Sequence, residues 1–167
     1  ALVPDHVENA DELKNGLRQL HKAFTQAPIL GSLLDTSKSS GDLFTADYKL
    51  LSSLLQQALK AEQQPDLLED SSATWSNALT ALGLLDAARL LDDRYNLVIT
   101  NVPYLARSKQ NDTLKDYCET HYADAKNDLA NVFLERCLEL SQEQRRGVIQ
   151  IVMPQNWLFL GGYKKQR

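Results

Sequence analysis

The chain has 167 residues, 43% of them hydrophobic, and a formal net charge of −4. That is enough apolar material for one domain's core, and no run of about 18 apolar residues is present to span a membrane. The acidic balance argues against the chain by itself gripping a polyanion, because nucleic-acid binding draws on clustered Lys and Arg.

The first half reads as helical. Val7, Ala10, Leu13, Leu17, Leu20 and Phe24 recur every three or four residues and form one apolar stripe. Asp5 with Glu8 suits a capping box at the start, and Pro28 is expected to stop the helix. A connection follows from Pro28 to Asp42. A second helix is expected from Thr45, as N-cap, to Gln64, with Tyr48, Leu51, Leu55 and Ala58 on one face and Pro65 closing it. A third carries Trp75, Leu79, Leu82 and Leu85 on its stripe, and Trp75 and Tyr48 read as core residues. Three amphipathic helices with short connections suggest a small bundle or a helical insertion over residues 1–92.

From residue 93 the period changes. Tyr95 to Thr100, "YNLVIT", is a short apolar run rich in β-branched residues, which suits a strand covered on both faces. A long helix is expected over Asn127 to Gln144, with Leu129, Val132, Phe133, Cys137 and Leu140 at helical spacing and Gly147 as its stop. Asp124, Lys126 and Asp128 read as the charged start of that helix. The pair Arg145 and Arg146 suits its end, where cations complement the dipole. Val148 to Pro154 is a second buried strand. Strand, helix, strand over residues 93–167 makes a βαβ unit with parallel strands and a right-handed crossover, so this half is α/β.

The remaining groups set bounds. Cys118 and Cys137 show no metal spacing and read as reduced thiols of a cytoplasmic protein. His6, His21 and His121 are scattered, so no metal site is expected. No secretory signal pattern is present. Lys164, Lys165 and Arg167 suit a solvated terminus, and Trp157 and Phe159 suit packing. The chain starts with Ala and ends at "GGYKKQR" straight after a structured segment, so a piece of a longer protein is expected.

The candidate site is Asn101-Val102-Pro103-Tyr104, at the carboxyl end of the first strand, where open α/β sheets place ligands. An Asn amide offers an acceptor and two donors. The Val102 carbonyl offers another acceptor, which Pro103 fixes by holding residue 102 extended. Tyr104 supplies a flat face. These groups suit an aromatic amine, with two acceptors for its NH₂ and a ring to stack on. The same four residues also suit a capped strand end that starts a turn, with Tyr104 packed on a neighbour.

Asn101-Val102-Pro103-Tyr104 resembles the Asn-Pro-Pro-Tyr signature of amino-group methyltransferases. The surrounding residues are similar to large bacterial N6-adenine DNA methyltransferases of the phage-defence (BREX or phage-growth-limitation) and type II restriction–modification kinds. Lys126, Asp128 and Leu129 stand in a Lys-x-Asp-Leu pattern. Phe133, Arg136 and Leu140 follow as F-x-x-R-x-x-x-L, and Pro154, Gln155 and Trp157 as P-Q-x-W. The resemblance covers Asp93 to Arg167. The pattern departs at Val102, where the family has its first Pro and a backbone carbonyl carries the function.

The resemblance implies a partial Rossmann-like methyltransferase sheet preceded by a helical insertion. It implies S-adenosyl-L-methionine as cofactor, although the family's glycine-rich loop is absent from this sequence and no cofactor-binding residue can be assigned. Double-stranded DNA with a flipped adenine is the implied partner. Asn101 and Val102 would accept from the N6 amino group, Tyr104 would stack on the base, and Arg107 and Lys109 would reach a phosphate. On this view the chain alone is inactive, and its strand edges could pair with another copy. Two alternatives stay open: methylation of an RNA or protein amide nitrogen, and a helical protein-docking module on a decayed methyltransferase scaffold.

Overall fold

A computed structural model describes residues 10–35, 71–141 and 147–167. The chain divides into two compact units, Ala1–Asp92 and Asp93–Arg167. The expected capping box at Asp5 and Glu8, the helix over Thr45 to Gln64 with Tyr48, the pair Arg145 and Arg146, and the Trp75 side chain lie outside what is described.

In the first unit, helix α1 (Ala10–Phe24) buries Leu20 and half-buries Leu17 and Phe24, the stripe expected from their spacing. Pro28 does not simply stop a helix. It sits in the first turn of a short helix α2 (Ala27–Leu30), where its missing N–H costs nothing because first-turn donors have no partner within the helix. Gly31 then turns the chain at φ 53, a left-handed value that favours glycine, and a 3₁₀ turn follows at Gly31–Leu33. Leu30, Leu33 and Leu34 are buried there, so part of the expected connection belongs to the core.

Helix α3 (Ser71–Asp92) packs against α1. Its buried stripe is Ala81, Leu85 and Ala88, whereas Leu79, expected inside, is exposed. Leucines lie all round this helix, so spacing alone does not single out one face. None of the helices among the described residues is long and apolar enough to cross a membrane.

The second unit is a mixed helix and strand body around two parallel strands, β1 (Leu97–Asn101) and β2 (Val148–Val152). Their register runs from Leu97 opposite Val148 to Asn101 opposite Val152. Before β1, Tyr95 forms an isolated parallel bridge with Ser141. The strands are not covered on both faces. Val98, Thr100, Ile149 and Ile151 are half-buried on one face, while Leu97, Ile99, Val148 and Val152 are exposed on the other. The apolar run records what residues prefer, not whether a second layer lies within the described chain.

Among the described residues between the strands there are two helices where one was expected. Helix α4 (Asp112–His121) is capped by Asn111, whose side-chain oxygen accepts from the Leu114 N–H at 2.8 Å, and it buries Leu114, Tyr117 and Cys118. Helix α5 (Leu129–Leu140) packs on β2 and buries Leu129, Val132 and Cys137, with Phe133 and Leu140 half-buried. It ends at Ser141, well before Gly147, because Ser141 turns extended and its hydroxyl donates to the Leu138 carbonyl at 2.9 Å.

Arg136, only 1% exposed, donates to a Glu139 carboxylate oxygen at 3.1 Å, and the Tyr122 hydroxyl donates to the same oxygen at 3.0 Å. A buried cation held this way adds little net stability, but losing its partner would leave a charge stranded in the core.

Cys118 and Cys137 are free and buried. Burial pushes the Cys118 thiol from 9.0 up to about 11 against a smaller downward pull from Arg107, and burial also raises Cys137 and Tyr122. The folded chain therefore holds these acids neutral after the unfolded chain has ionised. For Cys118 this stabilisation is complete below pH 9.0 and is lost as the pH rises toward about 11. Resistance to urea should fall across that window, and Cys118→Ala should flatten part of the fall. Equal slopes in the two proteins would contradict the burial.

Candidate active site

Asn101 closes β1 on its exposed face. One residue further on, the Val102 N–H donates to the Val152 carbonyl at 3.4 Å, so β2 grips the chain just beyond the named strand. Val102 as a whole is only 4% exposed, which fixes the residue from the other side. A proline at 102 would forfeit that backbone bond, so the valine strengthens the strand end while keeping the carbonyl. Among the described residues, neither the Asn101 amide nor the Val102 carbonyl has a hydrogen-bond partner. Two acceptors and a pair of donors thus stand unspent at one strand end.

Pro103 and Tyr104 follow, both exposed, with Tyr104 at 56%. The chain is then caught a second time. The Leu105 carbonyl accepts from the Leu129 N–H at 3.0 Å and from Gln110 Nε2 at 3.2 Å. The Arg107 N–H donates to the Asn127 carbonyl at 3.0 Å, and Ala106 bridges Asp128 in antiparallel fashion. Leu129 is the first residue of α5, and its N–H would otherwise be an orphan helix donor. Asp128 caps the same end, its side chain accepting from the Ala130 N–H at 3.0 Å. Tyr104 therefore sits on a two-residue span between fixed backbone points, so its ring is presented with little loop freedom.

The basic residues of the loop differ. The Arg107 guanidinium pairs with Glu119, which also takes Lys126 Nζ at 2.7 Å. The hydrogen bond from Lys126, then that from Arg107, holds the Glu119 carboxyl below the usual carboxylate range. Lys109 is exposed and, among the described residues, its side-chain ammonium has no partner, although its N–H donates to the Ala106 carbonyl at 2.9 Å. Arg107 thus braces the loop against α4, while Lys109 projects from it.

The other sequence candidates are dispersed. Lys126 pairs with Glu119, Asp128 is a helix cap, and Asp124 lies 3.5 Å from Lys165 Nζ. Trp157 is half-buried, but Phe159, expected to pack, is 77% exposed. Sequence reasoning missed Gln110, buried and holding Leu105, although its place beside the Asn111 helix cap was a signal that the segment is ordered. Gly16, Gly31, Gly83, Gly161 and Gly162 form no tight cradle for a phosphate or a nucleoside. Of these, Gly31 has a positive φ, and the nearest atom to an added Cβ is Asn127 Nδ2 at 3.9 Å from Gly162. Three or more His, Cys, Asp or Glu placed to hold a metal are not found among the described residues.

The family model described as Eco57I restriction-modification methylase matches residues 16–167. The chain is similar to the adenine-specific methyltransferase BrxX of Escherichia coli O9:H4 (strain HS), with 26% identity over 144 residues, 86% of this chain and 11% of that protein. It is also similar to the adenine-specific methyltransferase PglX of Lacticaseibacillus casei (strain Zhang), with 27% identity over 131 residues, 78% of this chain and 11% of that protein. The chain thus spans about a tenth of the length of these relatives.

Removing the cap that anchors the loop tests this geometry. Asp128→Ala should destabilise the chain by about 1 kcal/mol in urea and speed exchange of the Leu129 amide. Unchanged exchange at Leu129 would mean that the loop is not held by the α5 terminus.

Proposed function

The chain belongs to the Eco57I restriction-modification methylase family, and on that premise we propose that it carries the acceptor site of a DNA adenine-N6 methyltransferase. The observation that carries this is the unpaired Asn101 amide beside the unpaired Val102 carbonyl, on backbone gripped by Val152 and followed by the exposed Tyr104. Adenine is favoured as acceptor by the names of both relatives. A duplex base must be flipped to reach such a site. The Asn101 side-chain oxygen and the Val102 carbonyl accept hydrogen bonds from the N6 amino group, which favours an sp³-like nitrogen whose lone pair can face an electrophilic methyl group. Tyr104 stacks on the purine, Lys109 meets a phosphate, and Arg107 holds the loop or meets a second phosphate. The work is positioning and electrostatic.

S-adenosylmethionine, which supplies an electrophilic methyl group when bound, is the cofactor this function calls for. Gly16, Gly31, Gly83, Gly161 and Gly162 do not fit it, since they form no cradle. What this chain contributes is therefore the acceptor side, within a Rossmann-like sheet completed by the longer cytoplasmic protein, with residues 1–92 as a helical insertion before the catalytic segment 93–167. Taken alone the chain is inactive. RNA or a protein amide would present similar nitrogen chemistry; the relatives' names, which specify adenine, weigh against a protein amide, and the family's restriction-modification description favours DNA over RNA. A docking role for the helices finds little support, because α1 packs on α3 with Leu20 and Leu85 buried.

The test is methyl transfer from labelled S-adenosylmethionine by the full-length protein to DNA, RNA and protein acceptors. Transfer to adenine in DNA is expected. Asn101→Ala should lower turnover roughly 10²- to 10³-fold, the scale of one lost positioning group. Tyr104→Ala should weaken the base complex by about 1–3 kcal/mol, and Lys109→Ala should weaken all DNA sequences alike while reducing the salt slope by about 1. Transfer to RNA or protein alone would overturn the acceptor, and full activity in Asn101→Ala would overturn the site.

The chain by itself should also self-associate. Among the described residues each strand has one neighbour, and the sheet's outer face exposes Leu97, Ile99, Val148 and Val152. Light scattering should show a mass that rises with concentration; a monomer at all concentrations would contradict this.

A further inference from the structure

We propose that Pro154 is a positioning residue of this site: because it lacks an N–H, it keeps the Val102 carbonyl open for an incoming amino group. The inference rests on the acceptor-site function above and adds a residue to it.

The ladder between β1 and β2 supplies the reason. The Val148 N–H donates to the Asn96 carbonyl at 2.9 Å, and the Val102 N–H donates to the Val152 carbonyl at 3.4 Å. In a parallel pair the bonds are evenly spaced, and each strand uses alternate residues toward its neighbour. The carbonyls of residues 96, 98 and 100 therefore face the N–H groups of residues 148, 150 and 152, and the same register carried one step past Asn101 and Val152 sets the Val102 carbonyl toward the nitrogen of residue 154. The last donor in that series is Pro154, which has none. The ladder thus stops on a chemical vacancy opposite the one carbonyl that the site needs. After Pro154, whose φ is −62, the chain leaves the sheet in a 3₁₀ turn at Gln155–Leu158.

Any other residue at 154 would bring an N–H to a half-buried position, where an unpaired donor is costly. In the continued register the carbonyl it would face is that of Val102. That bond would take one lone pair and aim a second donor at the place where the amino group enters. A carbonyl has two lone pairs, so the effect is competition, not closure. Tyr104 and Asn101 would be untouched, so base binding should survive while alignment of the nitrogen suffers.

Two replacements at position 154 separate the N–H from the ring. Pro154→Ala introduces an N–H, whereas lactic acid at 154, joined through a backbone ester, loses the ring without adding a donor. In the full-length protein, Pro154→Ala should lower kcat for DNA methylation roughly tenfold, the scale of one hydrogen bond, with KM for DNA unchanged. The ester variant should restore turnover. In the Pro154→Ala chain, the residue 154 amide should exchange with solvent about tenfold more slowly than an unprotected amide. An unprotected amide, or equal turnover in the two variants, would overturn the proposal. If the unaltered protein methylates nothing, the acceptor-site function fails, and amide protection alone decides whether Pro154 keeps the carbonyl open.

Discussion

The parallel register of β1 and β2 is the constraint on which the site depends. It sets Asn101 opposite Val152 at the rim of the sheet and brings the Val102 N–H to the Val152 carbonyl. A slip of one residue would turn every side chain to the opposite face and take the Asn101 amide with it. The same register decides which backbone groups are consumed and which are left over. On the proposed function, the amide side chain and the carbonyl left unpaired at this strand end would form a binding device made mostly of backbone, which a valine at position 102 can supply.

The second constraint is the start of α5. Its first N–H is satisfied by the Leu105 carbonyl, so helix and loop each complete the other's hydrogen bonding. The helix is in turn pinned by Arg136, Glu139 and Tyr122, whose shared carboxylate oxygen ties the α4–α5 connection to the helix body. Burial and the nearby Glu139 charge raise the Tyr122 hydroxyl above its ordinary value, so it stays a donor throughout the physiological range. The charge on Arg136 is structural, set well inside the unit. The cation available to an outside anion in the loop is Lys109, while Arg107 is engaged with Glu119.

Much of this was legible in the residues. The β-branched run before Asn101 and the run after Gly147 gave the two strands and their parallel sense, because a helical crossover between them leaves little alternative. Asp128 was readable as a helix start, and the four-residue signature marked the strand end. Other features were not legible, for physical reasons. The leucines of α3 are spread around the helix, so the choice of Ala81, Leu85 and Ala88 as the inner stripe depends on what packs there. Helix α4 hid between a signature and a longer helix, although Asn111, Leu114, Cys118 and His121 carry the cap and spacing that define it. Gly147 looked like a helix stop, but Ser141 ends α5 first by turning extended. Which acceptor remains unpaired is a property of the pairing between strands, and no single strand states it.

The central claim is that Asn101 and Val102 together receive an amino group. The most direct measurement is a structure of the full-length protein bound to a cofactor analogue and to DNA containing its target adenine. The account predicts a flipped adenine with its N6 about 3 Å from both the Asn101 side-chain oxygen and the Val102 carbonyl oxygen, and with Tyr104 against the ring. An adenine stacked in the duplex, or a flipped one whose N6 meets other residues, would contradict it.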